Sequence, residues 1–434
     1  MLRKLAGLVV LAILVSGCGR SDVKTPARPA GADSKVSVTS ESGANSQFAL
    51  EDFVVGEPVR FENLTIFPVA SRVPKTDDRF ITLDEGLKTG TVEIREVSAA
   101  AAVQQSLPSV NPALAETDED ALADPLLDQA VGGNDVNSLI VVNNSDKPLY
   151  LMPGEIIIGG SQDRTIGEEL VVAAHSQPMK VPVFCVEHGR WGTKGVEETL
   201  QQLEGANGST VLGDSVSLSI RQNQTVQQVA EEADKGKFVA SIGQLGKTAR
   251  VAVQSDKDQS AVWEKVAETN AKSGLRPISG AFTANYSDVE NVKRLEPYLE
   301  SLQTPVAKHD QVVGVLVAIN GKIESIDLFE STPLFLKIWP KLLKSYSLDA
   351  MNATAESTNK PTDCTRAAAL SFFGETLQAN VASSDAGNGI GLVKRDGLHV
   401  LSFSSHFDST ATPAAMGGMG GGMGGGVHFS GFAK

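Results

Sequence analysis

Short apolar runs separated by turn residues fill the first half of the chain and restrict it to a β-rich fold. The runs are shorter than globular helices and are rich in valine and isoleucine. Prolines at positions 153, 178 and 182 remove backbone donors, which limits the strands that can pair on both sides. The pattern predicts a β-sandwich or barrel-like half over residues 48–192. Its predicted elements are strands at Val59–Val69, Thr91–Val97, Val136–Val142, Leu149–Ile158 and Val181–Val186, and a helical turn at Leu83–Lys88.

Helical periodicity replaces the strand pattern after residue 193. Apolar residues there recur at spacings of three and four, which places them on one face of a helix. Strand-like runs also flank Asn320-Gly321 and Asp396-Gly397, two dipeptides that favour hairpin turns. We therefore predict an α+β fold, in which the β-rich half is followed by a helix-rich half, residues 193–408, with two β-hairpins. The predicted helices are Arg221–Asp234, Ser260–Lys272, Ser287–Leu302, Leu334–Tyr346 and Thr365–Leu377.

Polar side chains interrupt the strand pattern between residues 147 and 191, and they form the candidate ligand-binding site. The period of two along a strand places Gln162 and Arg164 on the same face. Arg164 would bind a carboxylate or phosphate through two hydrogen bonds, and Glu155 would accept a hydrogen bond from a hydroxyl. The candidate residues are Glu155, Gln162, Arg164, Glu187, Arg190 and Trp191.

The same residues also suit a structural role. An ion pair of Arg164 or Arg190 with Glu155 or Glu187 would hold the strands together without a ligand, provided that each buried polar group has a partner. Trp191 would then close the core instead of stacking under a ligand. The sequence leaves both alternatives open.

Two further chemistries fit the spacing less closely. A nucleophilic Cys185 needs a nearby base, yet His188 lies on the opposite face of a regular strand. A metal site at Cys185 and Glu187 lacks a compact histidine pair or a Cys-x-x-Cys motif. We assign no catalytic residue, metal or cofactor from the sequence. The sequence does not decide whether Cys185 and Cys364 are free thiols or form a disulfide.

Several segments, the candidate site among them, carry a family resemblance. They are Gly154–Arg164, Cys185–Trp191, Gly56–Pro68, Ala318–Phe329 and Trp339–Tyr346. Together they resemble the ARG and rhodanese-phosphatase-superfamily-associated protein domain, an uncharacterised family. The resemblance covers about residues 48–408 and implies one continuous domain. The family's association with ADP-ribosylglycohydrolases and phosphatase-like proteins implies a link to ADP-ribose or nucleotide metabolism.

The charge of the chain argues against nucleic-acid binding. It contains 38 lysines and arginines against 52 aspartates and glutamates, for a formal net charge of −14. An acidic protein repels nucleic-acid phosphates, so we expect no nucleic-acid partner. The expected partners are a membrane, through an N-terminal lipid, and an anionic small molecule. The sequence leaves protein partners unidentified.

Residues 1–17 have the pattern of a bacterial lipoprotein signal peptide. Arg3-Lys4 precede an apolar run that is too short to span a membrane. Val15-Ser16-Gly17-Cys18 is similar to a lipobox, so Cys18 is the expected acylated residue. Residues 18–47 are rich in Ser, Ala, Gly and Pro and predict a flexible tether. We expect the domain to lie outside the cytoplasm, anchored by lipid in the bacterial cell envelope, at the outer membrane in a Gram-negative organism.

Two segments lack the pattern of a folded core. Residues 99–134 are rich in alanine, proline and acidic residues without the spacing of an EF-hand, and they predict a solvated insertion. Residues 409–434 are rich in glycine and methionine and predict a disordered tail.

The sequence thus favours an envelope-anchored lipoprotein with a ligand-binding or accessory domain. One alternative is a hydrolase that acts on an ADP-ribose-like or phosphorylated small molecule, as the family resemblance suggests. The other is a purely structural envelope protein.

Overall fold

The computed structural model describes most of the chain after residue 47. The described residues are 48–97, 137–190, 196–206, 225–356, 363–387, 390–407 and 426–434. Internal contacts group Ser46–Lys434 into one compact unit. The expected signal peptide 1–17, the expected acylated Cys18, the tether 18–47, the insertion 99–134 and Trp191 lie outside the described residues.

The described strands have the following bounds. In chain order they are β1 (Phe53–Val55), β2 (Val59–Phe61), β3 (Leu64–Ser71), β4 (Ile81–Thr82), β5 (Val92–Glu96), β6 (Ser138–Asn143), β7 (Leu149–Leu151), β8 (Glu155–Gly159), β9 (Arg164–Ile166), β10 (Leu170–Val172), β11 (Met179–Cys185), β12 (Lys237–Gln244), β13 (Val312–Ile319), β14 (Lys322–Phe329), β15 (Asn380–Gly387), β16 (Ile390–Asp396), β17 (Val400–Phe407) and β18 (Gly426–Ala433).

The described helices have the following bounds. They are α1 (Leu83–Thr89), α2 (Val196–Ala206), α3 (Val226–Ala233), α4 (Lys247–Val251), α5 (Gln259–Lys272), α6 (Ala284–Ser287), α7 (Val289–Ala307), α8 (Thr332–Glu356) and α9 (Arg366–Gln378), with a 3-10 turn at Leu50–Asp52 and a π-helical turn at Ala252–Asp256. Of these described helices, none has both the length and the apolar character needed to span a membrane.

An antiparallel sheet of nine strands joins the two ends of the described part of the chain. Its strand order is β1, β3, β13, β14, β18, β17, β16, β15, and β2 also pairs with β3. The N-terminal β3 therefore lies beside β13 of the second half. The C-terminal β18 lies between β14 and β17. The two halves of the sequence thus build one sheet.

Six other strands among the described residues close into a barrel. Their order is β11, β6, β5, β12, β8, β9, and β9 pairs back with β11 at Arg164 and Cys185. β12 comes from the second half of the chain and fills the gap between β5 and β8. The small sheet of β10, β7 and β4 shares one apolar core with the barrel.

Strands β3 and β13 of the large sheet are buried on both faces, which explains their nearly continuous apolar sequence. Leu64 and Val315 face a core shared with the outer wall of the barrel and with α7 and α8. Phe67 and Leu316 face a second core, which α9 closes with Phe373. Because side chains alternate along a strand, each face collects its own set of apolar residues.

The predicted fold class is confirmed: the β-rich first half contains a barrel, and a helix-rich part with β-hairpins follows. The Asn320-Gly321 turn has positive φ values of 51° and 79°, as a type I′ hairpin turn requires. The single strand predicted at Val59–Val69 is wrong. A turn at Glu62-Asn63 divides it into β2 and β3, and Glu62 has a φ of 49° there.

The disordered tail predicted over residues 409–434 is wrong for its C-terminal end. Residues 426–433 form β18, in which Phe429 and Phe432 are each 1% exposed. The strand is short and follows a glycine-rich segment, so composition hid its apolar residues. The rest of the predicted tail, residues 409–425, lies outside the described residues.

Candidate functional site

Arg164 and Gln162, two of the candidate ligand-binding residues, lie together and are buried. Arg164 is 2% exposed and Gln162 is 0% exposed. Nη1 of Arg164 donates to Oε1 of Gln162 at 2.8 Å. Nε of Arg164 and Nε2 of Gln162 have no hydrogen-bond acceptor among the described residues. The burial of Arg164 lowers the pKa of its guanidinium, because the charged form loses its hydration.

Arg190 and Glu187 form the ion pair that one alternative anticipated. Nε of Arg190 donates to Oε2 of Glu187 at 2.6 Å, and Nη2 donates to Oδ1 of Asp163 at 2.8 Å. Its Nη1 donates to the carbonyl of Gly160 at 3.0 Å. Burial and the neighbouring Glu187 raise the pKa of Asp163 to about 7, against the opposing effect of Arg190. The arginine therefore ties together the ends of strands β8, β9 and β11.

Glu155 pairs with a lysine that sequence reasoning missed. Nζ of Lys341 on α8 donates to Oε1 of Glu155 and to Oδ1 of Asp84, each at 2.6 Å. The Ser241 hydroxyl donates to the same Glu155 oxygen at 2.5 Å. Glu155 is 1% exposed. It therefore joins the barrel to helices α1 and α8.

The two cysteines of the described residues are free and buried. Burial raises the pKa of the Cys185 thiol, even though the nearby Arg164 opposes that effect. His188, the base considered for Cys185, packs edge-on against Trp263, with ring centroids 4.4 Å apart. In the described part of the chain, no group of three His, Cys, Asp or Glu residues is arranged to hold a metal ion.

A buried chain of polar groups that the sequence did not reveal runs through Glu169, His428 and Asp327. Oε1 of Glu169 accepts hydrogen bonds from the hydroxyls of Tyr150, at 2.8 Å, and Ser405, at 2.7 Å. Its Oε2 lies 3.2 Å from Nδ1 of His428. Nε2 of the same imidazole lies 3.2 Å from Oδ1 of Asp327. The imidazole of His428 therefore bridges two carboxylates.

Arg250 completes this chain behind Asp327. Its guanidinium donates to both carboxylate oxygens of Asp327, at 2.6 and 3.1 Å, and Tyr346 donates its hydroxyl to the same carboxylate. Arg250 can approach because Gly154 has no side chain: a Cβ there would meet Arg250 Cγ at 2.9 Å. Gly154 also has a φ of 86°, which favours glycine. Gly154 thus makes room for the guanidinium of Arg250 on α4.

The charges in this cluster set one another's ionisation. Burial alone would lower the pKa of His428, but Glu169 and Asp327 outweigh it and raise that pKa to about 9. Burial alone would raise the pKa of Asp327, but Arg250 and His428 hold it well below its usual range. At neutral pH the cluster therefore contains the Asp327 carboxylate, the His428 imidazolium and the Arg250 guanidinium.

A cavity of about 380 Å³ opens beside Glu169. One wall is formed by side chains of β15, β16 and β17, and the other by the Gly167–Glu169 loop and the π-helical turn. Gln254 of that turn is 8% exposed and lines the cavity, and its Nε2 has no hydrogen-bond acceptor among the described residues. π-Helical turns are rare and are frequent at functional sites. The next residue after the turn, Lys257, has a left-handed backbone with a φ of 50°.

The lysines that line the cavity already have partners. Nζ of Lys257 lies 2.5 Å from Oε1 of Glu168. Nζ of Lys394 donates to the Ser255 hydroxyl at 2.8 Å and lies 6.0 Å from the centre of the Phe403 ring. The remaining polar lining consists of hydroxyl, amide and carboxylate groups, and the apolar lining includes the Phe403 ring. The cavity therefore offers many hydrogen-bonding groups and little unbalanced positive charge.

The sequence held little sign of this site. His428 lies in the segment predicted to be disordered, and Glu169 lies 259 positions before it. Gln254 and Phe403 belong to stretches with no motif. The one local signal is Gly154, because glycines beside strands often mark a close backbone approach.

Comparison with known proteins gives one match. The model of the ARPP-1 family, described as the ARG and Rhodanese-Phosphatase-superfamily-associated Protein domain, matches residues 52–396. No curated protein and no solved structure is significantly similar to the chain. The matched range includes Glu169, Gln254 and Asp327, and it ends before Phe403 and His428.

Proposed function

From the premise that this chain belongs to the ARPP-1 family, we propose that it is a lipid-anchored binding module of the bacterial cell envelope whose ligand occupies the cavity beside Glu169. The family is uncharacterised, and its name records an association with a phosphatase superfamily, which is compatible with an accessory role. Cys18 would carry the lipid, and residues 18–47 would connect it to the domain.

The side chain of Gln254 carries the proposal. Gln254 lines the cavity, and its Nε2 is shielded from solvent and has no acceptor among the described residues. A buried donor without a partner costs about 1–3 kcal/mol, and most buried polar groups in folded proteins are paired. A turn of the Gln254 side chain into the cavity would let a ligand accept this hydrogen bond and remove that cost.

The hydrogen bonds of Glu169 hold one side of the cavity in place. Both of its oxygens already face donors: Tyr150 and Ser405 at one, His428 at the other. Glu169 therefore fixes the cavity wall.

The ligand-binding candidates identified in the sequence have a supporting role in this proposal. Arg190 is engaged by two carboxylates and a carbonyl, and Glu155 by a lysine and a hydroxyl. Arg164 is 2% exposed, so an anionic ligand would reach it only if the barrel end opened. The cavity needs no such opening.

A ligand screen on the purified protein tests the proposal. We expect thermal unfolding to shift upward with at least one compound from a panel of saccharides, muropeptides, sugar phosphates, nucleotides and ADP-ribose. A ligand at about 100 times its dissociation constant adds roughly 2.7 kcal/mol to the free energy of unfolding. The shift should be lost in Gln254→Met, which keeps the volume of the side chain and removes its amide.

Gln303→Met is the matched control. Gln303 lies on α7, away from the cavity, and its side-chain Oε1 also lacks a partner among the described residues. The control variant should respond to the compound as wild type does. Equal responses in Gln254→Met and wild type, or no response to any compound, would contradict the proposal. A shift lost only in Arg164→Met would move the site to the barrel end.

A further inference from the structure

We infer that the ligand of this cavity is an uncharged carbohydrate, bound at the end of a sugar chain or as a single small saccharide. The inference rests on the proposed binding function and specifies its ligand. It comes from three properties of the cavity: its hydrogen-bonding groups, its apolar patch and its balance of charge.

The hydrogen-bonding groups suit a molecule with many hydroxyls. Ser383 of β15 and Ser255 of the π-helical turn line the cavity, and hydroxyls both donate and accept. Gln254 of the same turn adds an amide donor without an acceptor among the described residues. A sugar hydroxyl, ring oxygen or N-acetyl carbonyl could accept that hydrogen bond. Sugar hydroxyls could also donate to Asp385 of β15, which lines the cavity as well.

The apolar patch suits the face of a sugar ring. Phe403 lines the cavity together with Leu392, which lies on the same face of the sheet. A pyranose ring has one face that is largely C–H, and such C–H groups carry partial positive charge. The face of an aromatic ring carries partial negative charge, so the two surfaces attract each other as they pack. A cavity that combines apolar side chains with a few directed polar groups is typical of small-molecule sites.

The balance of charge disfavours a phosphorylated ligand. Three acidic residues line the cavity, namely Glu168, Glu169 and Asp385, against the two lysines Lys257 and Lys394. Lys257 is paired with Glu168 at 2.5 Å. Phosphate sites are usually built from arginine side chains or from backbone N–H groups at a helix N-terminus. Among the residues that the structure describes, no arginine lines this cavity.

The size and position of the cavity limit the ligand further. Its volume of about 380 Å³ lies at the lower end of the range of about 300–1,000 Å³ found for small-molecule sites. Residues 381–385 of β15 are exposed, and residues 383–385 line the cavity. A longer sugar chain could therefore leave the cavity over β15 while its end remains inside.

Titration calorimetry with defined compounds tests the inference. The uncharged probes are di-N-acetylchitobiose and maltose, and the others are glucose 6-phosphate, ADP-ribose and trialanine. We expect an uncharged saccharide to bind wild type, and its dissociation constant to rise at least about tenfold in Gln254→Met. Phe403→Leu should weaken binding similarly, because leucine removes the flat aromatic face.

Two matched variants control for general effects on folding. Gln303→Met and Phe61→Leu make the same changes away from the cavity, on α7 and β2, and should bind as wild type does. Binding of only glucose 6-phosphate, ADP-ribose or trialanine, still sensitive to Gln254→Met, would overturn the carbohydrate inference and leave the proposed binding function standing. If no probe binds and the wider screen also finds no cavity ligand, the carbohydrate inference and the proposed binding function are both overturned. Saccharide binding that is unchanged in Gln254→Met and Phe403→Leu would overturn both as well, because it would lie elsewhere.

Discussion

Replacement of His428 by glutamine should cost far more stability at acid pH than at alkaline pH. The imidazole is 1% exposed and lies between the carboxylates of Glu169 and Asp327. These neighbours raise its pKa from the usual 6.5 to about 9, against the opposing effect of burial. At about 1.4 kcal/mol for each pKa unit, the charged form of His428 stabilises the fold by about 3 kcal/mol.

The direction of the pKa shift of His428 determines how its contribution to stability varies with pH. Because the pKa of His428 is higher in the folded chain, its stabilisation is complete below about pH 6.5 and is lost as the pH rises through about 9. Asp327 does not cancel this effect, since its pKa is held well below its usual range. Burial and Glu169 raise the pKa of the neighbouring Tyr150, which therefore stays protonated.

Other buried groups also change ionisation in this pH range, so the pH dependence of wild-type stability alone does not isolate the contribution of His428. Burial lowers the pKa of Lys344 to about 7, so its destabilising effect is relieved as the pH rises above that value. Burial also raises the pKa of Asp163 to about 7 and that of Asp349 to about 6, so each becomes more destabilising as the pH rises towards its folded value. None of the three has a described hydrogen bond or ion pair with His428. Their contributions should therefore cancel in the difference between wild type and variant.

Urea unfolding followed by circular dichroism measures that difference. We expect the free energy of unfolding of His428→Gln to fall below that of wild type by about 3 kcal/mol more at about pH 6 than at about pH 10. His399→Gln, a change at an exposed position just before β17, is the control and should show no comparable trend. A difference between wild type and His428→Gln that stays constant across this range would refute the assignment of an imidazolium in the cluster.

Three further predictions follow from the sequence and the packing. Cys18→Ala should release the protein from membranes into the soluble fraction, and retention after a high-salt wash would place the anchor elsewhere. Arg190→Met should lower the free energy of unfolding in urea by about 3–5 kcal/mol, because it leaves two buried carboxylates without their partner. Arg164→Met should lower it by at most about 1–3 kcal/mol, because only Gln162 loses a partner. Equal losses in the two variants would contradict the structure. Deletion of residues 426–434 should abolish cooperative thermal unfolding, and an unchanged melting temperature would show that β18 is dispensable.

Local patterns in the sequence predicted many elements but not the way in which they pair. The barrel was anticipated, yet β12, which closes it between β5 and β8, was not identified. Its sequence, Lys237–Gln244, contains a glycine and two polar residues near its end and has no strict alternation. Its strand character comes from neighbours that lie far away in the chain. Pairing over such distances depends on the whole fold and leaves no local period in the sequence.

The candidate site shows the same limit more strongly. Arg190 and Glu187 are three positions apart, and their pairing was anticipated as one of two alternatives. His428 is 101 positions from Asp327 and 259 from Glu169, and only the folded sheet brings the three together. The glycine-rich segment before His428 also hid the strand that carries it. A site whose residues come from strands far apart in the sequence can be identified only from the folded structure.

The position of β18 links the cavity to the stability of the whole sheet. β18 pairs with β14 on one side and β17 on the other, so β17, β16 and β15 are attached to the rest of the sheet through it. Those three strands form one wall of the cavity, and the other wall belongs to the body of the domain. A ligand that contacts both walls would therefore oppose their separation. The protection that it gives should depend on its concentration relative to its dissociation constant, and it should be lost in any variant in which β18 no longer pairs.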